Sequence, residues 1–269
     1  MSTNTSTLNH LRRILEIFQN SDAKIRPHYV LTGPSGSGKS HSMGLLADAL
    51  GIPMFEINAA ALTKEGTSGN SLSKALTPLF NFGGQPVICF VDEFDKLFIS
   101  GNSNSELAHE TTNGVQNEFL KVLESDTAAV FSDYGKYVQA STKNVLFVFA
   151  GAFNGEENID LDRLREFGIK TEFLGRVGLA FALEKLSLSD LENILMGSPL
   201  LANYLALFPN VDRNTVIDTI MAVLREHHER NTLGARMVNT LIHQYFILGG
   251  LPDKQTKKTT FQKTLTFAA

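Results

Sequence analysis

"GPSGSGKS", residues 33–40, follows the apolar run "HYVLT" (28–32) and precedes "HSMGLLADAL" (41–50), which has helical spacing. The pattern G-x-x-x-x-G-K-S between a strand and a helix is a phosphate cradle. Glycines 33, 36 and 38 let the backbone wrap with its N–H groups turned inward. The helix that follows adds the partial positive charge of its N-terminus. In this reading Gly33, Pro34, Ser35, Gly36, Ser37 and Gly38 surround the phosphates. Lys39 reaches the β and γ phosphates, and the Ser40 hydroxyl ligates Mg²⁺. Such a match arises by chance in roughly one chain in a hundred of this length. The plain alternative is a glycine-rich turn, and placement between strand and helix argues against it. The bound nucleotide is then a phosphate donor, a switch, or the fuel of a motor.

"VICFVDEFDKL" (87–97) supplies a second half. An apolar run ending in Asp-Glu puts two carboxylates at the carboxyl end of a buried strand, where parallel sheets bind their ligands. Asp92 would hold the magnesium, directly or through water, and Glu93 would polarise a water for in-line attack on the γ-phosphate. A second carboxylate beside the magnesium aspartate suits hydrolysis, because water needs an orienting base. Alone, the pair reads equally well as a solvated acidic turn; beside a cradle it does not. A small P-loop kinase competes, but it needs an arginine-bearing lid over the acceptor, and the later arginines here are arranged differently.

Around these motifs, strand-like and helical stretches alternate. "YVLT" (29–32), "MFEIN" (54–58), "PVICFVD" (86–92) and "NVLFVFAG" (144–151) are β-rich; 8–20, 39–50, 70–80 and 115–125 have helical character. Runs apolar on both faces, alternating with helices, indicate a parallel sheet covered on both sides. "AAVFSDYGKYVQA" (128–140) reads as a hairpin with its tip near Tyr134-Gly135. From about Leu186 onward only helical patterns recur, the first capped by Ser187 or Ser189. The fold expected is α/β: a large domain over 1–186 (1–26 an N-terminal helix and linker), a small all-α domain over 187–250, and a tail, 251–269.

Composition sets outer bounds. The chain of 269 residues is 43% apolar and 19% charged, ordinary globular values with room for a large and a small domain. A net charge of −4 gives no support to a general polyanion binder. No run approaches the roughly 18 apolar residues of a membrane span. The single cysteine, Cys89, has no partner for an internal disulfide, so a reducing compartment, most simply the cytoplasm, is the expectation.

In order and spacing these motifs resemble the AAA+ ATPases, and among them the ClpX branch of the HslU/ClpX clade, from about residue 27 to 248. "INAAALTKEGTSGNSL" (57–72) resembles the stretch carrying that family's first pore loop. "DEFDKL" and "GVQNEFLKVLES" resemble its acidic box and the helix after it, and "STKNVLFVFAGAF" its sensor-1 strand. "LREFGIKTEFLGRVGLAFALEKLSLSDLENIL" (164–195), the most specific match, resembles the arginine-finger box and the entry to the small lid domain. "LGARMVNTLI" (233–242) resembles the sensor-2 helix. The resemblance implies ATP and Mg²⁺ as ligands. It implies Arg176 as a finger reaching the γ-phosphate of a neighbouring subunit, and Arg236 as the nucleotide-contacting arginine of the lid. A finger supplied in trans implies a homo-oligomeric ring, a hexamer in this family, that couples hydrolysis to remodelling of another protein. The bland alternative for either arginine is a surface salt bridge.

Four departures qualify the resemblance. Gly66-Thr67-Ser68-Gly69 stands where the family has an aromatic and an aliphatic residue to grip polypeptide. Asn154 directly precedes "GEENIDLDRLREF", without the insertion that docks a peptidase, so a ClpP-type partner is not expected. No zinc-binding adaptor domain is expected, since one cysteine does not build one. Ala152 and Phe153 occupy the sensor-1 position, leaving Asn154 as the nearest polar candidate. The alternative function is therefore an ATP-dependent oligomeric switch or scaffold that recruits a partner or a nucleic acid without threading a chain. Residues 99–113 read as a second pore loop or a surface loop, and the hairpin tip as a substrate contact or an ordinary turn. Lys254, Lys257, Lys258 and Lys263 read as phosphate-backbone contacts or solvated charges. His227 and His228 read as helix-surface residues.

Overall fold

The computed structural model describes residues 3–63, 70–98, 106–132, 135–157 and 159–251. The Gly66–Gly69 loop, residues 99–105, Tyr134 and the lysines of the tail lie outside these described residues. Two units separate by contact density. One comprises the chain up to Pro34 together with Lys39–Glu184; the other comprises Ser35–Gly38 together with the chain from Lys185 onward.

In chain order the first unit contains α1 (Thr3–Asn20), β1 (Tyr29–Thr32), α2 (Lys39–Leu50), β2 (Met54–Asn58), α3 (Leu72–Ala75) and β3 (Val87–Asp92). Then come α4 (Glu106–Glu124), β4 (Thr127–Phe131), β5 (Tyr137–Ser141), β6 (Val145–Gly151), α5 (Leu161–Glu166), α6 (Thr171–Val177) and β7 (Leu179–Ala182). A five-stranded sheet runs in the order β2-β3-β6-β1-β7, parallel at every pairing. Crossovers between parallel strands need intervening chain, which is why helices alternate with strands in the sequence.

All seven residues of β6 are buried, and its two-residue period divides them between two cores. Leu146, Val148 and Ala150 join Leu11, Leu15 and Phe18 of α1 and Met43 and Leu46 of α2. Val145, Phe147 and Phe149 join Val115 and Phe119 of α4 and Phe173 of α6. Each large apolar side chain so buried stabilises the fold by about 1.5–3 kcal/mol, so the central strands are apolar on both faces.

Several expectations change in detail. The helix expected over 70–80 is only α3 followed by a 3-10 turn, Thr77–Asn81. Pro78 has no N–H for Lys74 O, and the Thr77 hydroxyl donates to that carbonyl at 2.7 Å instead. Helix α4 begins at Glu106, ahead of the expected Val115. The hairpin forms antiparallel from Thr127↔Ser141 to Phe131↔Tyr137. Periodicity did not reveal β7, whose four residues are only partly covered, nor the short helices α5 and α6.

The second unit holds α7 (Leu188–Met196), α8 (Pro199–Leu207), α9 (Arg213–His227) and α10 (Arg236–Leu248) around Leu195, Leu201, Val216, Ile220, Leu224, Val238 and Ile242. Of the two candidate caps, Ser187 opens α7 through a reciprocal capping box with Asp190. Asp212 caps α9 by accepting the Thr215 N–H at 2.8 Å.

Candidate nucleotide site

Gly33, Pro34, Lys39, Ser40 and the acidic pair lie in the first unit. Gly33, at φ 144°, takes the chain out of β1 in a conformation open to glycine. Lys39 opens α2 and is 9% exposed; its Nζ donates to Gly33 O at 2.6 Å and Pro34 O at 3.1 Å. The ammonium is thus held against the loop that the motif assigns to phosphates. Ser40 Oγ donates to Asp92 Oδ2 at 3.2 Å, joining the end of the cradle to the end of β3. A hydroxyl and a carboxylate converging in this way form a hard, all-oxygen donor set. Magnesium is bound by such a set, with one or two carboxylates and retained waters, so the residues present fit Mg²⁺.

Glu93 follows in the left-handed region, φ 55° and ψ 30°, with its N–H donated to Asp92 Oδ1 at 2.8 Å. A non-glycine residue there costs on the order of 1–3 kcal/mol and persists only where its surroundings enforce it. Phe94 does the enforcing: fully buried, its ring lies 4.8 Å from Phe149 of β6 and 5.3 Å from Phe173 of α6. The same turn leaves the Glu93 side chain exposed.

Asp95 is a site residue that the sequence reading missed. It is 1% exposed, and Oδ2 accepts the Phe153 N–H at 3.2 Å. Phe153 (φ 45°) and Asn154 (φ 59°) are consecutive left-handed residues just beyond β6. Asparagine tolerates that region; a bulky aromatic does not. Asn154 is exposed, and a Cβ on Gly155 would stand 4.0 Å from Pro34 Cβ, so this turn abuts the start of the cradle. The only sequence signal for Asp95 was a third carboxylate in "DEFD"; its partner lies 58 residues away.

Arg176, exposed on α6, pairs with Glu124 of α4, Nη2 to Oε1 at 3.0 Å. Helix α4 also fixes the approach to α6. The buried Gln116 donates to Gly168 O at 3.2 Å and accepts the Lys170 N–H at 3.1 Å, and Lys170 Nζ donates to Asn117 Oδ1 at 2.7 Å. Sequence reasoning found none of these partners, because helix periodicity registers apolar faces rather than polar contacts across helices.

Within the second unit, Ala235 N–H donates to Gly36 O at 3.1 Å and Arg236 Nη1 to Ser35 Oγ at 3.2 Å. A Cβ on Gly36 would fall 2.1 Å from Leu233 O, and one on Gly234 would fall 2.3 Å from Gly36 O, so both positions require glycine. Asn231, also missed, shapes this turn by accepting the N–H groups of Leu233 and Gly234 at 2.9 and 3.0 Å. Ser37 Oγ is buried with no hydrogen-bond partner among the described residues. A buried hydroxyl left so is costly, and a phosphate oxygen would satisfy it. His228 is half-buried, its Nε2–H donating to Leu186 O at 3.0 Å while Lys185 Nζ donates to His228 O at 2.7 Å. These bonds sit at the unit's start, and His228 is half-buried where a helix-surface residue is expected.

Comparison with known proteins agrees with this geometry. The family described as "ATPase family associated with various cellular activities (AAA)" matches residues 29–173. The ATP-dependent Clp protease ATP-binding subunit ClpX of Treponema denticola is 26% identical over 287 residues, covering 89% of this chain and 69% of the relative. Its counterpart from Borrelia duttonii is 27% identical over 308 residues (95% and 71%), and that of Bacteroides thetaiotaomicron 25% over 312 (98% and 75%). The matched span takes in the cradle, the acidic pair and strands β1, β2, β3 and β6, and the chain belongs to the AAA family of ATPases as a ClpX-like, nucleotide-binding ATP hydrolase.

Proposed function

We propose that this chain is the subunit of a homo-oligomeric ring, a hexamer, that couples ATP binding and hydrolysis to the remodelling or unfolding of another protein. The observation that carries the site is the Ser40–Asp92 hydrogen bond, with Lys39 and Glu93 adjoining it. ATP takes Gly33–Ser40, with Lys39 on the β and γ phosphates and Ser37 Oγ donating to a phosphate oxygen. Ser40 and Asp92 hold Mg²⁺, which when bound neutralises charge on the phosphates. Glu93, turned away from the strand and exposed, orients the attacking water, and Asn154 offers a polar group at the next strand end. Arg236, already bonded to Ser35, contacts the nucleotide from the helical domain, residues 187–250.

Ring assembly is supported by Arg176. It is a guanidinium held at the protein surface by Glu124, as a group donated to a neighbour must be. Arginine suits that task, since its planar fork matches charge spread over equatorial phosphate oxygens. No peptidase partner is proposed. The connection from β6 to α5 is pinned by Arg163, whose Nε and Nη2 bind Glu156 at 2.6 and 2.8 Å, and by Asp160 capping α5. The sequence Gly66-Thr67-Ser68-Gly69 favours a second reading, an ATP-dependent oligomeric switch that recruits a partner without threading it.

Glu93→Gln tests the function. It should retain ATP, lose roughly 10²–10⁴-fold in turnover, and hold its partner in a stable complex recoverable by pull-down. Unchanged turnover would remove Glu93 as the base. A partner that is bound but never remodelled by the wild-type protein would favour the switch.

A further inference from the structure

We propose that Asp95 is a positioning residue for ATP turnover. Its carboxylate fixes the Phe153–Asn154 turn beside the cradle and so presents the Asn154 amide to the nucleotide. This rests on the reading of Gly33–Ser40 as the ATP site and of Asn154 as its polar neighbour.

The geometry is a short chain of contacts inside the first unit. Asp95 sits in the 3-10 turn Phe94–Leu97, immediately after Asp92 and Glu93, so β3 carries it to the same carboxyl end of the sheet as the acidic pair. Strand β6 pairs with β3 on one side and β1 on the other, and Gly151 registers with Thr32, the residue before the cradle. Asp95 Oδ2 takes the Phe153 N–H, and a Cβ on Gly151 would come within 2.8 Å of Oδ1. The carboxylate is therefore packed against the last residue of β6 and bonded to the turn that follows. That turn runs through two left-handed residues and brings Gly155 to Pro34.

Phe153 has a reason to leave its φ of 45°, because an L residue with a large side chain is strained there. Two things hold it. One is burial of its ring, tilted against Phe167 at 5.4 Å; the other is the hydrogen bond to Asp95. Only the second belongs to the acidic-box turn. Lys96 pairs with Asp95 Oδ2 at 3.5 Å but is half exposed, so the ion pair contributes little, and the acceptor oxygen is what matters. Apart from that ion pair, Asp95 is bonded to the Phe153 backbone and acts through the placement of Asn154.

The test is steady-state ATP hydrolysis by the full chain carrying Asp95→Ala, Asp95→Asn, Asn154→Ala and the double variant Asp95→Ala with Asn154→Ala. Asp95→Ala should lower kcat roughly 10- to 100-fold, the scale on which a misplacement of about 1 Å acts. KM for ATP should stay within about threefold, because the lost interaction is made in the transition state. Asp95→Asn keeps an oxygen for the Phe153 N–H and should recover most of kcat. Asn154→Ala should be slow, and adding Asp95→Ala to it should cost little more, since both changes remove one effect. The proposal is overturned if Asp95→Ala turns over like wild type, if the two losses multiply, or if Asp95→Asn falls as far as Asp95→Ala. Where Asp95→Ala does not fold, a folded Asp95→Asn as slow as Asn154→Ala overturns it instead. A slow Asn154→Ala beside an unaffected Asp95→Ala would sink only the role of Asp95, whereas a Glu93→Gln chain of normal turnover would sink the site reading itself.

Discussion

His28 is buried just before β1, and its Nδ1 accepts the Phe147 N–H at 3.1 Å. That bond requires the proton on Nε2 and a neutral ring. Burial, and then the nearby charge of Arg26, lower its pKa from 6.5 to about 4. The depressed value belongs to the folded state, so unfolding takes up a proton between the two values. By linkage the gap is worth on the order of 3 kcal/mol, present in full above pH 6.5 and lost as pH falls toward 4. Urea midpoints should therefore drop between pH 7 and 4.5, and His28→Gln, which keeps an acceptor for Phe147 but does not titrate, should drop less. Equal falls in both proteins would exonerate His28. At this scale the cradle was legible as a pattern, because its glycines, lysine and serine stand at fixed spacing in one short stretch. Asp95 and Asn231 were not, because their worth lies in side-chain bonds to backbone that no spacing rule encodes.

Elements were legible where both faces of a strand are buried. Strands β1, β3 and β6 are continuous apolar runs because helices cover the sheet on each side. The edge strand β7, with Leu179 exposed and the rest half-buried, carries no such signal, and Pro78 divides what reads as one helix. The pairing of α4 with α6 was likewise hidden, and it yields a contrast. Gln116→Ala would leave Gly168 O and the Lys170 N–H without their partner, at about 1–3 kcal/mol. It should lower both the urea midpoint and ATP turnover, since α6 carries Arg176. Glu124→Gln breaks an exposed ion pair and should leave the midpoint within about 1 kcal/mol of wild type. Equal destabilisation by the two would mean that the Arg176–Glu124 pair, and not the Gln116 bonds, holds α6.

Across the whole molecule, catalysis is proposed to need two chains, a reading that rests on the resemblance at Arg176, which lies just beyond the matched span of 29–173. In this chain Arg176 pairs with Glu124, and its trans role is tested by assembly. Lys39→Ala removes the cradle's cation and Arg176→Ala removes the finger, and each protein alone should hydrolyse ATP slowly. In an equal mixture that co-assembles at random, half the subunits keep an intact cradle, and half of those face a neighbour with an intact finger. About a quarter of the sites are then complete in a closed, head-to-tail ring. Activity should rise toward a quarter of the wild-type value per chain. Wild-type activity per chain should also fall on dilution below the concentration at which sedimentation shows the assembly dissociating. A mixture that co-sediments yet recovers nothing would place the complete site within one chain. So would wild-type turnover per chain that stays constant through dissociation, and Arg176 would then be a surface ion-pair partner of Glu124 and no more.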